Sequence, residues 1–325
     1  MYLKSSSETI NSLILIIVPT FVSYLLLPYI RNFSFKYIIL DKPNSRKIHT
    51  KPVPNIGGLA IFISYLFGIF CLKLLTNLEI QNLEIFIIIS NIILIIGLLD
   101  DLYNLSAMTR LGLQFLVISF IYFKGINISN LNLEFLNINS YQIPNLLSFL
   151  VTSFWIVGVI NAINWIDGLN GLASGVIIFT LLAIAKIAIS KSLMGLYFIA
   201  LIMSGACLGF LLHNLKPNNI IMGDNGSNFL GFNLSILCLY AGANKSIYSH
   251  DLSINPLIPV FLLAYPIFDM SRVIIGRIKR NSSPFLPDNS HFHHILLRKG
   301  FSNTGTIIII FTLTIFLASL SFLFI

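Results

Sequence analysis

The chain has 325 residues, of which 56% are hydrophobic and only 10% charged, and its mean hydropathy is +0.87. Segments long enough to cross a bilayer, at about 20 apolar residues each, recur along its whole length, which excludes a soluble multidomain protein. A net charge of +8 would suggest nucleic acid on a soluble chain. Here the Lys and Arg residues flank apolar runs and read as orientation signals and lipid-headgroup contacts, so no nucleic acid is expected.

In chain order, membrane helices are predicted near residues 10–30, 57–75, 84–99, 107–123, 146–163, 172–190, 193–212, 227–243, 254–275 and 305–325. The expected fold is an all-α polytopic membrane protein of about ten helices (ten or eleven), forming a single domain over residues 1–325. The first run, Ile10 to Ile30, is long for a signal-peptide core and no A-x-A-like site follows it, so a retained helix is expected. Residues 124–145, rich in Asn and Ile, are expected to form a short external loop. Cys71, Cys207 and Cys238 lie in apolar runs without CxxC spacing and read as packing residues.

Ten helices put both termini on one side. With the 31–56 loop in the cytoplasm, that side collects 14 of the 20 Lys and Arg residues, as the positive-inside rule requires. Asp41, Asp100, Asp101, Asp167, Asp224, Asp269 and Asp288 then fall on the cytoplasmic side or at its helix ends, whereas the four glutamates and Asp251 fall outside. The aspartates played no part in setting the orientation, so their gathering on one face points to one polar site.

Five motifs lie on that face. The first, His49-Thr50-Lys51-Pro52-Val53-Pro54-Asn55-Ile56-Gly57-Gly58, has stiffening prolines and glycines suited to close packing, with Lys51 as a candidate ligand. Asp100-Asp101 follows an apolar run, and one aspartate at the centre of a membrane helix costs roughly 2.5–3.5 kcal/mol; such a pair can hold a divalent cation or supply a base, or it can simply be solvated at a helix end beside Arg110. Asn161, Asn164 and Asp167 are three residues apart and share a helix face, ahead of the turn Gly168-Leu169-Asn170-Gly171. Asp224, in Gly223-Asp224-Asn225-Gly226-Ser227, opens an apolar segment, where free N–H groups favour phosphate and where an N-cap is the plain alternative. His291-Phe292-His293-His294 lies in a basic loop with Arg277, Lys279 and Arg280 before it and Arg298 and Lys299 after it. No Cys or Glu stands at a zinc-site spacing, so this loop reads as phosphate-facing or as an amphipathic surface loop.

In this order, the motifs resemble those of the polyprenyl-phosphate N-acetylhexosamine-1-phosphate transferase family (glycosyltransferase family 4), over about residues 41 to 302. The HxHH form of His291 to His294 is similar to the sugar-nucleotide branch rather than the muramyl-pentapeptide branch. The resemblance implies transfer of an N-acetylhexosamine-1-phosphate, by default GlcNAc-1-phosphate, from a UDP-N-acetylhexosamine to undecaprenyl phosphate. UMP would be released and a cell-envelope glycan begun at the cytoplasmic face of the bacterial inner membrane. It implies Mg²⁺, with Mn²⁺ as an alternative. By motif, Asp100 and Asp101 would activate or orient the lipid phosphate, and Asp224 with Asn164 would hold the metal. Asp167 and Asn170 would line the nucleotide pocket, and His291 and His294 would meet the sugar or diphosphate. Lys51, Asn161, Arg277 and His293 complete the substrate-binding candidates. The sequence leaves a homodimer open. Two positions depart from the family pattern: Asn104 stands where many members have a third acid, and Asn170 where many have Asp. An amide still accepts a hydrogen bond there but brings no charge.

A membrane transporter is the alternative from another class, because intramembrane acids mark ion paths. Transport would need polar groups near the midplane and commonly an inverted repeat, and neither is visible. An aspartate-rich intramembrane prenyltransferase is the other alternative, but Asp167 and Asp224 stand singly in Gly-rich settings.

Overall fold

The computed structural model describes residues 6–43, 51–78, 80, 83–133, 138–217, 219–243, 252–284 and 288–325. Its helices are α1 (Ser6–Lys36), α2 (Gly58–Leu75), α3 (Leu83–Tyr103), α4 (Ala107–Phe123), α5 (Asn145–Ile166), α6 (Leu172–Ser190), α7 (Met194–Asn214), α8 (Gly223–Gly242), α9 (Leu257–Leu262), α10 (Ala264–Lys279), α11 (Phe292–Arg298) and α12 (Asn303–Leu320). Seven of these, α1, α2, α3, α5, α6, α7 and α12, are long and apolar enough to cross a membrane. The other predicted spans are α4, which is shorter, α8, which carries polar residues, and the α9–α10 pair, which is broken. The protein is a mostly helical, multi-pass membrane protein. His49 and Thr50 of the first motif lie outside the described residues.

α8 is the centre of the bundle. Every residue from Asn225 to Gly242 is buried, against α2, α3, α5, α6 and α9. A helix covered on all sides must find partners for its polar groups on its neighbours. Asn233 donates to the Phe229 carbonyl (2.7 Å) and accepts from Ser90 of α3 (3.3 Å). Trp155 of α5 donates its indole N–H to the Ser235 carbonyl at 3.0 Å. At the helix C-terminus the ammonium of Lys191, just past α6, donates to the carbonyls of Ala241 (2.9 Å) and Ala243 (3.1 Å). A cation there satisfies orphan carbonyls and complements the helix dipole. By contrast, α1 and α12 lie at the periphery and expose most of their surface.

Two expectations need correction. Residues 124–145 are not a plain loop: β3 (Ile128–Leu133) pairs antiparallel with β4 (Ile138–Gln142) and parallel with β5 (Leu252–Ile254). Segments that leave a bundle still need partners for their N–H and C=O groups, and a ladder between two connections supplies them. The single helix expected over 254–275 is instead β5, α9 and α10. Pro266 has no N–H to give to the carbonyl of Leu262. That carbonyl takes the hydroxyl of Thr180 on α6 at 3.4 Å instead, and the helix restarts at Ala264.

The helices alternate in direction, so the last turns of α3 and α5 and the first turn of α8 meet at one end of the bundle. The three-stranded sheet lies at the other end, where Ala243 bridges to Ile254. Lys191→Met should remove the clamp on the C-terminus of α8 and lower stability by roughly 1–2 kcal/mol. In detergent this should read as a melting temperature a few degrees lower, with specific activity of the folded protein retained.

Candidate active site

The N-terminus of α8 is where the site is built. Met222, which precedes the helix, makes no side-chain cap. The free N–H groups are taken instead by Asp101 from the last turn of α3. Its carboxylate accepts from the backbone of Asp224 (3.0 Å) and Asn225 (2.9 Å). It also accepts from the Asn225 side chain (2.6 Å) and the Asn55 side chain (3.3 Å). Asn225 in turn donates to the Asn55 carbonyl at 2.9 Å. Such close fitting is allowed by Gly97 of α3: a Cβ there would run into the backbone of Asp224 and Asn225. The segment before α2 is also tied in, with Ile221 N–H donating to Pro54 (2.9 Å) and Gly58 N–H to Met222 (2.9 Å). The glycines and prolines of the first motif thus shape the seat of α8. Lys51 is exposed at its edge.

Asp100 takes a different direction. Successive helical residues project about 100° apart, so its carboxylate turns toward α4 and meets Arg110 at 2.6 Å. Asp100 is buried. It also interacts side chain to side chain with Asp224. Asp224, half-buried, receives a hydrogen bond from the Asn164 amide of α5, and the same amide donates to Ser227 at 2.9 Å. Asp167 caps the end of α5. Burial, and then the negative charges of Asp224 and Asp101, push its carboxyl well above the ordinary carboxylate range. Asn170 sits half-buried in the turn that follows. Asn104, one of the departures from the family pattern, ends α3 at φ 50, a conformation that asparagine tolerates better than most residues.

The histidine loop approaches α5 from the other side. The His293 ring lies against Gly168, where a Cβ would sit 2.6 Å from Nε2. The Trp165 edge meets the His291 ring at 5.7 Å, and the Arg277 guanidinium stacks over Trp165 at 4.8 Å. Arg277 is itself buried. It donates to the Pro284 carbonyl (2.5 Å) and to Asp288 (3.1 Å), and these bonds anchor the loop. Burial opposes the charge on Asp288, but hydrogen bonds from Arg277 and Ser290 outweigh it and bring the carboxyl down to about 2. Burial, followed by His294 and His291, lowers His293 to about 3; it is a neutral ring in ordinary conditions. His294 is half-buried, its ring tilted against that of His293 with centroids 4.2 Å apart.

The structure therefore brings Asp100, Asp101, Asn164, Asp167 and Asp224 together, and sets His291, His293 and His294 against the end of α5 beside them. Asn161 is drawn sideways, its amide donating to Gln114 of α4 (3.1 Å) and to the Val157 carbonyl (2.8 Å). Four groups of the site were not singled out from sequence: Asn55, Arg110 as a fixed partner, Asn225 and Asp269. A lone acid in an apolar stretch, the signal that exposed the Asp100–Asp101 pair, also marks Asp269.

Among the described residues, no three His, Cys, Asp or Glu side chains form a metal cage. Mg²⁺ is commonly held by one or two carboxylates, with waters and substrate phosphates completing the shell. The facing carboxylates of Asp100 and Asp224 fit that pattern, because two acids at such range need a proton or a cation between them.

The profile of glycosyl transferase family 4 matches residues 83–242. A Bacillus subtilis protein named "Probable undecaprenyl-phosphate N-acetylglucosaminyl 1-phosphate transferase" is 34% identical, over 93% of this chain and 82% of its own length. The decaprenyl-phosphate N-acetylglucosaminephosphotransferase of Mycobacterium tuberculosis is 31% identical, over 83% and 71%. The undecaprenyl-phosphate alpha-N-acetylglucosaminyl 1-phosphate transferase of Escherichia coli is 28% identical, over 92% and 80%.

Asp101 and Asp224 should part company in stability. Asp101→Asn weakens the anionic acceptor at the α8 N-terminus and should cost about 1–2 kcal/mol. Asp224→Asn relieves repulsion with Asp100 and should leave stability unchanged or raised. Thermal melts of the purified proteins in detergent with EDTA test this; equal losses would make Asp224 a structural group as well. With its site built at the seat of α8 and its sequence matching these enzymes along most of its length, the chain belongs to glycosyl transferase family 4, the polyprenyl-phosphate N-acetylhexosamine-1-phosphate transferases.

Proposed function

We propose that the protein transfers N-acetylglucosamine-1-phosphate, or that of a close acetamido sugar, from its UDP derivative to undecaprenyl phosphate and releases UMP. The observation that carries this reading is the meeting of acids from α3, α5 and α8 at one end of the bundle, beside a histidine- and arginine-bearing loop. An oxygen of the lipid phosphate attacks the phosphorus that bears the sugar. The bond from that phosphorus to the bridging oxygen breaks, and the oxygen leaves on UMP.

Both partners are anionic, so the reaction must overcome charge repulsion. Asp224 and Asp100, with the Asn164 oxygen, would hold Mg²⁺ (or Mn²⁺), which supplies charge neutralisation on the diphosphate and on the leaving UMP. Arg110 keeps Asp100 oriented. Asn164 fixes the position of Asp224. Asp167 and Asn170 border the nucleotide, whose sugar-phosphate end faces the histidines. A phosphate on a prenyl lipid is confined to the membrane surface and a UDP-sugar to water, which suits a site at the end of a bundle. We place that end at the cytoplasmic face of a bacterial inner membrane, because the basic residues gather there.

Turnover, read as UMP release from a panel of UDP-sugars and a short polyprenyl phosphate, should vanish in excess EDTA and return with Mg²⁺. Asp224→Asn should lower kcat by about 10²-fold or more at unchanged protein level. Activity that persists in EDTA would oppose the mechanism.

Orientation can be tested separately. With Cys71, Cys207 and Cys238 replaced by alanine, Gln142→Cys on the exposed end of β4 should react with an impermeant thiol reagent in intact cells. Ser283→Cys in the histidine loop should not. Asn132, on β3, is buried and unsuited to labelling. The reverse pattern would place the site away from cytosolic UDP-sugar.

A further inference from the structure

We propose that Asp269 is a positioning residue that holds His291 with its proton on Nδ1, so that Nε2 is the nitrogen offered to the phosphate-bearing sugar nucleotide. This rests on the transferase reading above.

Asp269 lies on α10, 22 residues ahead of its partner, and is fully buried. One carboxylate oxygen is 2.8 Å from His291 Nδ1. The other accepts the backbone N–H of Phe292 (2.7 Å) and the Arg272 guanidinium (3.1 Å). Arg272 also donates to the carbonyl of Ser290 at 2.5 Å, so the residues on both sides of His291 are held from α10. An ionised carboxylate can only accept. The proton between the two must therefore sit on Nδ1, in either charge state of the ring. Trp165 meets the ring at its edge, and His293 stacks beside it at 5.7 Å, which restrains its rotation.

Among the described residues, the other two histidines lack such a partner. Both nitrogens of His293 are buried without a hydrogen bond, and His294 makes ring contacts to its neighbours. Among the described residues Nε2 of His291 has no hydrogen bond, so one oriented nitrogen remains to meet a ligand. The charged and titratable groups facing it are Asp269 and Arg272 from α10 and His293 and His294 from α11; α5 contributes the uncharged Trp165. A phosphate oxygen binds there as an acceptor from a protonated Nε2, with Asp269 balancing the imidazolium.

The test uses full-length protein in detergent, labelled with ¹⁵N-histidine, with the His291 signal identified by its loss in His291→Gln. At pH 8 the wild-type ring should show the Nδ1–H tautomer. In Asp269→Asn the amide keeps an oxygen for Phe292 and turns its NH₂ to Nδ1, so the ring should switch to Nε2–H. Kinetically, Asp269→Asn should lower kcat by about 10²-fold with KM for the sugar nucleotide within about threefold. In a His291→Gln background the same change should cost less than about threefold more, because coupled residues are non-additive. An unchanged tautomer, or losses that multiply, would overturn the proposal. Should Asp269→Asn not accumulate, Asp269→Glu decides: retention of Nδ1–H supports the pairing and its loss overturns it. If wild-type protein turns over no sugar nucleotide, the transferase reading fails, while the tautomer measurement still judges the pairing.

Discussion

The rest of the site depends on one constraint: a helix that starts inside a membrane protein cannot leave its first N–H groups unmet. α8 is buried from Asn225 onward, so the N–H groups of its first turn need partners within the protein. Loss of a cap at an ordinary helix costs about 1 kcal/mol, and the cost of an unmet donor rises as the surroundings become less polar. The chain answers with a carboxylate borrowed from α3. Because Asp101 accepts from Asp224 N–H and Asn225 N–H together, it sets the height and rotation of α8. It thereby sets where the Asp224 side chain begins. Lys191 closes the opposite end with the opposite charge. The central helix is held between an anion and a cation, both supplied by neighbours.

That arrangement leaves an electrostatic imbalance which is the chemical content of the site. Asp100, Asp101, Asp167 and Asp224 crowd one end of the bundle, and the ion pair of Asp100 with Arg110 offsets only part of their charge. Capping uses up Asp101. The remaining negative field would repel a phosphate, so these carboxylates do not bind anionic substrates by direct contact. On the proposed reading they would draw a divalent cation, and through it a diphosphate. Direct contact would fall to the other wall, where His293 is pressed against Gly168 in the turn after α5, with His291 and His294 beside it. A side chain at position 168 would push His293 away, so the two walls are joined at a residue that has none.

Much of the architecture was legible because it rests on local patterns. Apolar run length placed most of the helices to within several residues, the 254–275 run excepted, and residues 172–190 coincide with α6. The acids were legible through their cost near lipid. What could not be read was partnership, which is non-local. Arg277 lies in a basic run and reads as a surface phosphate ligand, yet it is buried beneath its own loop, bonded to Pro284 and Asp288. Asn161 shares a helical face with Asn164, but Gln114 on another helix draws it sideways. The break between α9 and α10 had a local signal in Pro259 and Pro266, which the apolar run concealed. The parallel pairing of β3 with β5 joins residues more than 120 positions apart, beyond the reach of any window.

The adjacent aspartates illustrate how neighbours in sequence become strangers in space. A pair of carboxylates one residue apart invites a reading as a coupled acid and base. Their directions on α3 argue otherwise. Asp101 receives four hydrogen bonds from Asn55, Asp224 and Asn225, which commit its oxygens to seating α8. Asp100 faces Arg110 and Asp224, on the side where a phosphate and its cation would lie. A prenyl phosphate is already largely ionised at neutral pH, so the nucleophile does not require a base. The two acids then share one effect by different routes: one places α8, and the other adds charge where a cation would bind. Adjacency matters because the last turn of α3 must touch α8 and α4 at once, and side chains about 100° apart are how one turn of helix reaches both.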